Sequence, residues 1–219
     1  MKYILLFLIA ILFTQNAKGE TMLDDKKKAA DSAEEICPIK VGEQIPSVII
    51  KNLKGEDVNL NSLVKGKMSV LVFYRGGWCP FCNLQLANLN KIENDLLTLE
   101  YQMIAVSIDK PEKLKESLDK HQLTYTLLSD SKAEASTAFG LAFKVADDYN
   151  KMLLSHNMSL EEASGEKHHI LPVPAVFIVD REGVIQFEYV NPNYKVRLNE
   201  QILLKAAEEL SYETNNVNK

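Results

Sequence analysis

The sequence predicts an α/β chain in three layers, α/β/α, around a mixed central sheet with an N-terminal hairpin. Three observations lead there. Short apolar runs alternate with longer amphipathic stretches, the order that builds a sheet covered by helices. Met103-Ile104-Ala105-Val106-Ser107-Ile108 is apolar almost without interruption, as befits a strand buried on both faces. The chain then closes with two strands joined by Asp180-Arg181-Glu182-Gly183, a hairpin turn, and one more amphipathic stretch.

Val48-Ile49-Ile50 and Val58-Asn59-Leu60 flank Lys54-Gly55-Glu56 and predict the hairpin. Met68–Tyr74 is the next strand. A helix follows from 79 to about 97, because Leu84, Leu86, Leu89, Ile92 and Leu96 or Leu97 recur at roughly helical spacing. Pro111 opens another helix to about Lys120, proline being tolerated in a first turn. Tyr125-Thr126-Leu127-Leu128 predicts a strand. Asp130 or Ser131 caps a helix through Ala138 that Gly140 closes. Residues 147–169 are long and polar and read as an insertion with one short helix near Leu160-Glu161-Glu162. Ala175–Val179 and 184–189 are the closing strands, and 198–210 the last helix.

At the N-terminus, Lys2 precedes an apolar run over residues 3–13 and small residues at Ala17 and Gly19. An apolar core of about ten residues is too short to cross a bilayer, which needs roughly 20. The pattern predicts a signal peptide over 1–19, cut after Gly19, and hence an exported protein, periplasmic or secreted, with a retained N-terminal anchor as the alternative reading. The cut removes Lys2 and Lys18 and no acid, taking the formal charge from −5 to −7. No stable membrane insertion is expected after it. Residues 20–38 read as a mobile leader, 39–212 as one domain and 213–219 as a disordered tail. Asp24-Asp25-Lys26-Lys27-Lys28 mixes both signs, so no basic cluster points to nucleic acid.

Chemistry gathers in Phe73-Tyr74-Arg75-Gly76-Gly77-Trp78-Cys79-Pro80-Phe81-Cys82. A buried strand, a glycine turn and a helix start place both sulfurs in the first helical turn. Unpaired N–H groups and the helix dipole favour a thiolate there. In such Cys-x-x-Cys motifs the thiol pKa falls from roughly 8.5 to about 3.5–7.5. Zinc needs about four ligands, and Cys37, His121, His156, His168 and His169 stand at no convincing spacing. A purely structural disulfide over so short a loop contributes little entropy. A catalytic dithiol, Cys79 with Cys82, is the reading that remains. Trp78 supplies a flat apolar wall, Pro80 stiffens the turn near N1, and Phe81 offers a greasy docking surface. Pro174, opening a late strand, is a candidate cis-peptide packed against the pair, or else an ordinary proline at a strand start. Cys37 is left over, as a free thiol, a small buried hydrophobe, a resolving cysteine or an intermolecular partner. His168-His169 precede Pro174 as a proton donor or a loop cap, and Asn157-Met158-Ser159 matches a glycosylation acceptor weakly.

Trp78-Cys79-Pro80-Phe81-Cys82 with Pro174 resembles the thioredoxin superfamily. The wider chain is similar to its peroxiredoxin-like branch, the alkyl hydroperoxide reductase/thiol-specific antioxidant family, close to the bacterioferritin comigratory type. Three stretches carry the likeness over 41–189: Val41-Gly42-Glu43-Gln44-Ile45-Pro46; Leu128-Ser129-Asp130 with Ala138-Phe139-Gly140; and Phe177-Ile178-Val179-Asp180-Arg181-Glu182-Gly183-Val184-Ile185. The resemblance implies a thioredoxin-like fold, a thiol peroxidase without cofactor, and a thioredoxin-like electron donor.

Departures sharpen the question. The family motif Pro-x-x-x-Thr-x-x-Cys, laid on this chain, puts Cys82 in the peroxide-attacking place. Cys79 then falls where the threonine belongs and Arg75 where the proline belongs. The family's activating arginine lies where this chain has Pro174, so Arg75 is the candidate for the missing charge, or a surface arginine in a turn. Thioredoxin's buried acid is replaced by Phe73. As a peroxidase, one thiolate becomes sulfenic acid and its neighbour condenses with it to a disulfide. As a protein-disulfide reductase, Cys79, the more exposed sulfur, attacks and Cys82 resolves. A redox-inert binding module is the third expectation.

Overall fold

The computed structural model describes residues 28–121 and 123–217, so the signal-peptide reading of 1–19 lies outside the described residues. Nine strands and seven helices follow in chain order among these residues: β1 (Ile49–Lys51), β2 (Asp57–Asn59), α1 (Leu60–Val64), β3 (Met68–Tyr74), α2 (Pro80–Thr98), β4 (Tyr101–Ser107), α3 (Pro111–His121), β5 (Thr126–Ser129), α4 (Glu134–Ala138), β6 (Ala142–Lys144), α5 (Asp147–Ser155), α6 (Leu160–Ser164), β7 (Ile170–Pro172), β8 (Ala175–Val179), β9 (Ile185–Val190) and α7 (Glu200–Val217). The main sheet has the order β2-β1-β5-β4-β3-β8-β9, and β6 pairs with β7 separately. β3, β4 and β5 run parallel, whereas the pairings β3–β8 and β8–β9 on one side and β5–β1 and β1–β2 on the other are antiparallel. The expected mixed sheet with its N-terminal hairpin is present.

Alternation along the central strands builds the three layers. Val70, Val72 and Tyr74 of β3, with Met103 and Ala105 of β4, face α2, α3 and α7. Leu71 and Phe73, with Ile104 and Val106, face α1, α4 and Ile39 and Ile45 of the N-terminal segment. Every residue of β3 is buried, as its unbroken apolar run requires.

The structure departs from expectation in five places. Leu60 begins a helix rather than ending a strand, because the Asn59 side chain accepts from the Ser62 N–H at 3.0 Å and caps α1. The insertion holds two helices, α5 and α6, the second capped by Ser159 at 3.1 Å from the Glu162 N–H. β6 and β7 were not anticipated; each is only three residues long, too short to show a period. Part of the expected mobile leader is fixed: the Ala30 N–H donates to Ala142 O and its carbonyl accepts from Lys144 N, both at 2.9 Å. Finally, α7 continues to Val217, into the stretch expected to lack structure. No helix among the described residues is long and apolar enough to cross a membrane.

Candidate active site

The site forms where the parallel strands β3 and β4 end, at the edge to which α2 presents its N-terminus. Tyr74 is in register with Ser107, so the loops beyond them, Arg75-Gly76-Gly77 and Ile108-Asp109, run side by side. They pass closely. A Cβ on Gly76, whose φ is +147°, would lie 2.4 Å from Trp78 Nε1 and 2.7 Å from Asp109 Oδ1. One on Gly77 would lie 1.9 Å from Ser117 Oγ. The Gly77 N–H donates to Asp109 Oδ2 at 2.7 Å, and Asn83 Nδ2 donates to the Gly77 carbonyl at 2.8 Å. Glycine is what lets this turn lie against its neighbours.

Cys79 is the N-cap of α2 and Pro80 its first residue, where the missing N–H costs nothing. The Cys79 carbonyl accepts from the Cys82 and Asn83 N–H groups at 3.0 Å each. Both thiols are free and both are buried, Cys79 at 1% and Cys82 at 0% exposure, so the sulfur expected to be the more exposed is so only by a trace. Electrostatics separate them. A hydrogen bond from the Cys82 thiol pulls the Cys79 pKa down to about 6, helped by the Arg75 charge, the Cys82 N–H and Arg197 against the opposing effect of burial. Burial pushes Cys82 well above the ordinary thiol range, reinforced by donation to Cys79 and the repulsion of its charge. The thiolate therefore resides on Cys79.

Arg75 is 3% exposed and no surface arginine in a turn. Its Nη2 donates to the Tyr149 hydroxyl at 2.7 Å. Its guanidinium carbon lies 4.1 Å from the Tyr194 ring centroid, 5.0 Å from that of Trp78 and 5.5 Å from that of Tyr149. Each such contact contributes about 0.5–2 kcal/mol. Phe81 packs edge-on against the same Tyr194 at 5.7 Å and stays exposed on its other side.

Two participants escaped the sequence reading. Arg197, in the loop between β9 and α7, donates from Nη2 to Cys82 Sγ at 3.3 Å and from Nη1 to Gln85 Oε1 at 3.1 Å. An isolated arginine in a polar loop carries no local signal. Asp109 is buried beside the glycine turn, and burial raises its pKa to about 7 against the Gly77 N–H, the nearby Ser107 hydroxyl and Lys113. Its place just past a parallel strand was the clue available. Replacing Arg197 by Gln removes a positive charge from both sulfurs, so the Cys79 thiolate titration moves upward from about 6. The thiolate ultraviolet absorbance of the reduced protein, followed against pH, measures it. An unmoved midpoint would show that Arg197 does not act on the pair.

Other expectations are corrected. Pro174 is not cis, since no cis peptide bond occurs among the described residues. It sits on an extended path from β7 into β8, with the Val173 N–H on Leu141 O at 2.8 Å and its own carbonyl accepting from Asn191 N–H at 3.4 Å. His168 and His169 serve the insertion, not the sulfurs. His168 Nε2 contacts Ser131 O at 2.7 Å while its Nδ1 accepts from the Ile170 N–H, and His169 Nε2 meets Glu161 at 2.9 Å. Cys37 is exposed, and its carbonyl lies against Gly140, among the residues that cover the sheet face opposite the cysteine pair.

Residues 41–188 match the AhpC/TSA family. Peroxiredoxin Bcp of Escherichia coli (strain K12) is 32% identical over 104 residues, which cover 48% of this chain and 66% of that protein, just short of two thirds of its length. Peroxiredoxin Bcp of Bacillus subtilis (strain 168) is 28% identical over 145 residues, covering 66% of this chain and 81% of its own. The crystal structure of reduced Prx3 from Vibrio vulnificus, in complex with hydrogen peroxide, superposes with a TM-score of 0.64 at 19% identity, over 78% of this chain and 96% of that one. That likeness is one of fold, and it agrees with the α/β/α sheet described above. With Arg75, Cys79 and Cys82 all inside the matched stretch, the chain belongs to the AhpC/TSA family.

Proposed function

We propose that the protein is a thiol-dependent peroxidase that reduces hydrogen peroxide or organic hydroperoxides through the Cys79/Cys82 couple. The observation that carries this reading is the pair itself: two free, buried, adjacent sulfurs, one held as a thiolate near pH 6 and the other as a thiol. Cys79 attacks the terminal peroxide oxygen and becomes sulfenic acid, and the O–O bond breaks. Cys82 then displaces water to form the Cys79–Cys82 disulfide, which a thioredoxin-like dithiol reduces. Arg75 and Arg197 hold the negative charge at the sulfurs. Family membership supports the reaction class, although the attacking place that the family motif assigns is Cys82. The N-terminal pattern of Lys2, an apolar run and small residues supports export.

The test is consumption of hydrogen peroxide by wild type with a thioredoxin-like donor, run beside insulin-disulfide reduction. Peroxide loss at catalytic enzyme concentration is expected. Insulin reduction without peroxide loss would make the protein a disulfide reductase instead. Neither activity, with thiols titrating near the ordinary value of about 8.5, would leave a redox-inert binding module.

A further inference from the structure

Asp109 is a buried titratable group beside the cysteine turn that the thiol chemistry above does not use. Its Oδ2 is held by the Gly77 N–H at 2.7 Å, but Oδ1 has no hydrogen-bond partner although the residue is only 1% exposed. Trp78 Nε1, a donor, is likewise buried without a partner. Both orphan atoms lie within 3 Å of the same point beside Gly76, the point a Cβ would occupy. An acceptor and a donor thus face one niche that only glycine leaves open. On its other side Asp109 lines a cavity of about 210 Å³ together with Gly77, Trp78, Lys113 and Ser117. Asp109 therefore stands between the redox turn and a route to solvent.

We propose that Asp109 is the proton-holding carboxyl of the Cys79/Cys82 couple, exchanging protons with solvent through the cavity lined by Gly77 and Trp78. The oxidative half of the cycle below rests on the peroxidase reading; the reductive half does not. In the reduced state Cys79 is thiolate, Cys82 thiol and Asp109 carboxylic acid. Attack forms the S–O bond and breaks the O–O bond, oxidising sulfur by two electrons, and the leaving oxygen takes the Asp109 proton and departs as alcohol or water. Next the S–S bond forms as the S–O bond breaks. The Cys82 proton, relayed by the Asp109 carboxylate, leaves with the hydroxyl as water. A dithiol donor then supplies two electrons and two protons and departs as its disulfide. Its protons settle on Cys82 and Asp109, and Cys79 returns as thiolate.

The groups facing Asp109 agree with a carboxyl that changes state with the couple. The Cys79 thiolate at the start of α2 disfavours its charge, whereas Lys113 of α3 favours it; Tyr74 of β3, pushed well above its ordinary value by burial and by the Asp109 charge, stays neutral beside it. Glu116 of α3 and Glu162 of α6 pair with Lys113 at 3.3 Å each and dilute that help. Oxidation removes the Cys79 charge and so releases the Asp109 proton.

The experiment measures protons exchanged when the oxidised protein is reduced by dithiothreitol in weak buffer between about pH 6 and 7, the range that Cys79 and Asp109 bracket. Asp109→Asn protein is expected to release up to one more proton per disulfide than wild type, because the acceptor is gone. Disulfide formation after peroxide is expected to slow about 100-fold in that variant. The reduced-minus-oxidised infrared spectrum of wild type needs no variant and gains a protonated-carboxyl band. Equal proton release in both proteins, or an infrared difference without that band, overturns the proposal. Wild type that ignores peroxide while the proton difference persists removes the peroxidase reading and leaves Asp109 in its role.

Discussion

Cys79→Ser protein should consume hydrogen peroxide about 10³-fold more slowly than wild type or worse, while Cys82→Ser protein completes a single turnover and stops. The reason is where the charge sits. Cys79 reaches the thiolate at about pH 6, whereas burial keeps Cys82 protonated well beyond neutral pH. Serine at 79 remains a hydroxyl, so no comparable nucleophile is left. In Cys82→Ser the sulfenic acid on Cys79 has no partner to condense with, and a dimedone adduct at that residue should accumulate to one equivalent. The first-turnover rate of wild type should rise with pH through about 6, because the thiolate fraction grows as the proton leaves, and fall again above about 7, where Asp109 loses the proton that the leaving oxygen takes. Stopped-flow peroxide loss and mass spectrometry read all of this. The reverse pattern, a trapped sulfenic acid at Cys82 in Cys79→Ser protein, would hand the attack to the position that the family motif assigns.

The second large effect concerns stability. Phe73→Ala is expected to cost about 3–5 kcal/mol, the range for emptying a buried phenylalanine site. Phe73 is fully buried at the centre of the sheet, 4.7 Å from the Phe139 ring and 6.2 Å from the Phe177 ring. Those rings come from three elements of the chain and cannot collapse together without bending β3. A domain holds only about 5–15 kcal/mol in total. At roughly 2–4 °C per kcal/mol, the melting temperature should fall by about 6–20 °C. Calorimetry checks it, and a fall of only a degree or two would show that the aromatic cluster relaxes around the gap. Phe73 also lies two residues before Arg75, so the peroxide rate of the folded fraction should fall with it.

The redox turn was legible because its signal is local: an apolar strand, two glycines and a Cys-x-x-Cys pair at a helix start. Burial of Arg75 was not, since its cage comes from Tyr149 in the insertion and Tyr194 in the last loop, each over sixty residues away in the chain. Arg197 and Asp109 stayed hidden for the same reason; their importance arises from strand register and helix packing, not from neighbours in sequence. The insertion misled because its helices are held by caps such as Ser159 and a small apolar cluster around Leu153 and Leu160, not by a long amphipathic stripe. Pro174 suggested a cis bond by analogy, yet Pro172 and Pro174 together favour an extended run.

Burial of both sulfurs also has a kinetic meaning. A two-oxygen oxidant can slip past side chains as they fluctuate, but a protein thiol must bring its own backbone to the disulfide. The segments packed around Arg75 and Cys82 carry Tyr149, Tyr194 and Arg197, and a movement there would open the pair to the donor. If such a local opening costs about 3 kcal/mol, fewer than about one molecule in a hundred is receptive at any instant. Under the proposed peroxidase cycle, the same enclosure would then set the tempo of recovery, leaving the protein quick to record an encounter with oxidant and slow to forget it.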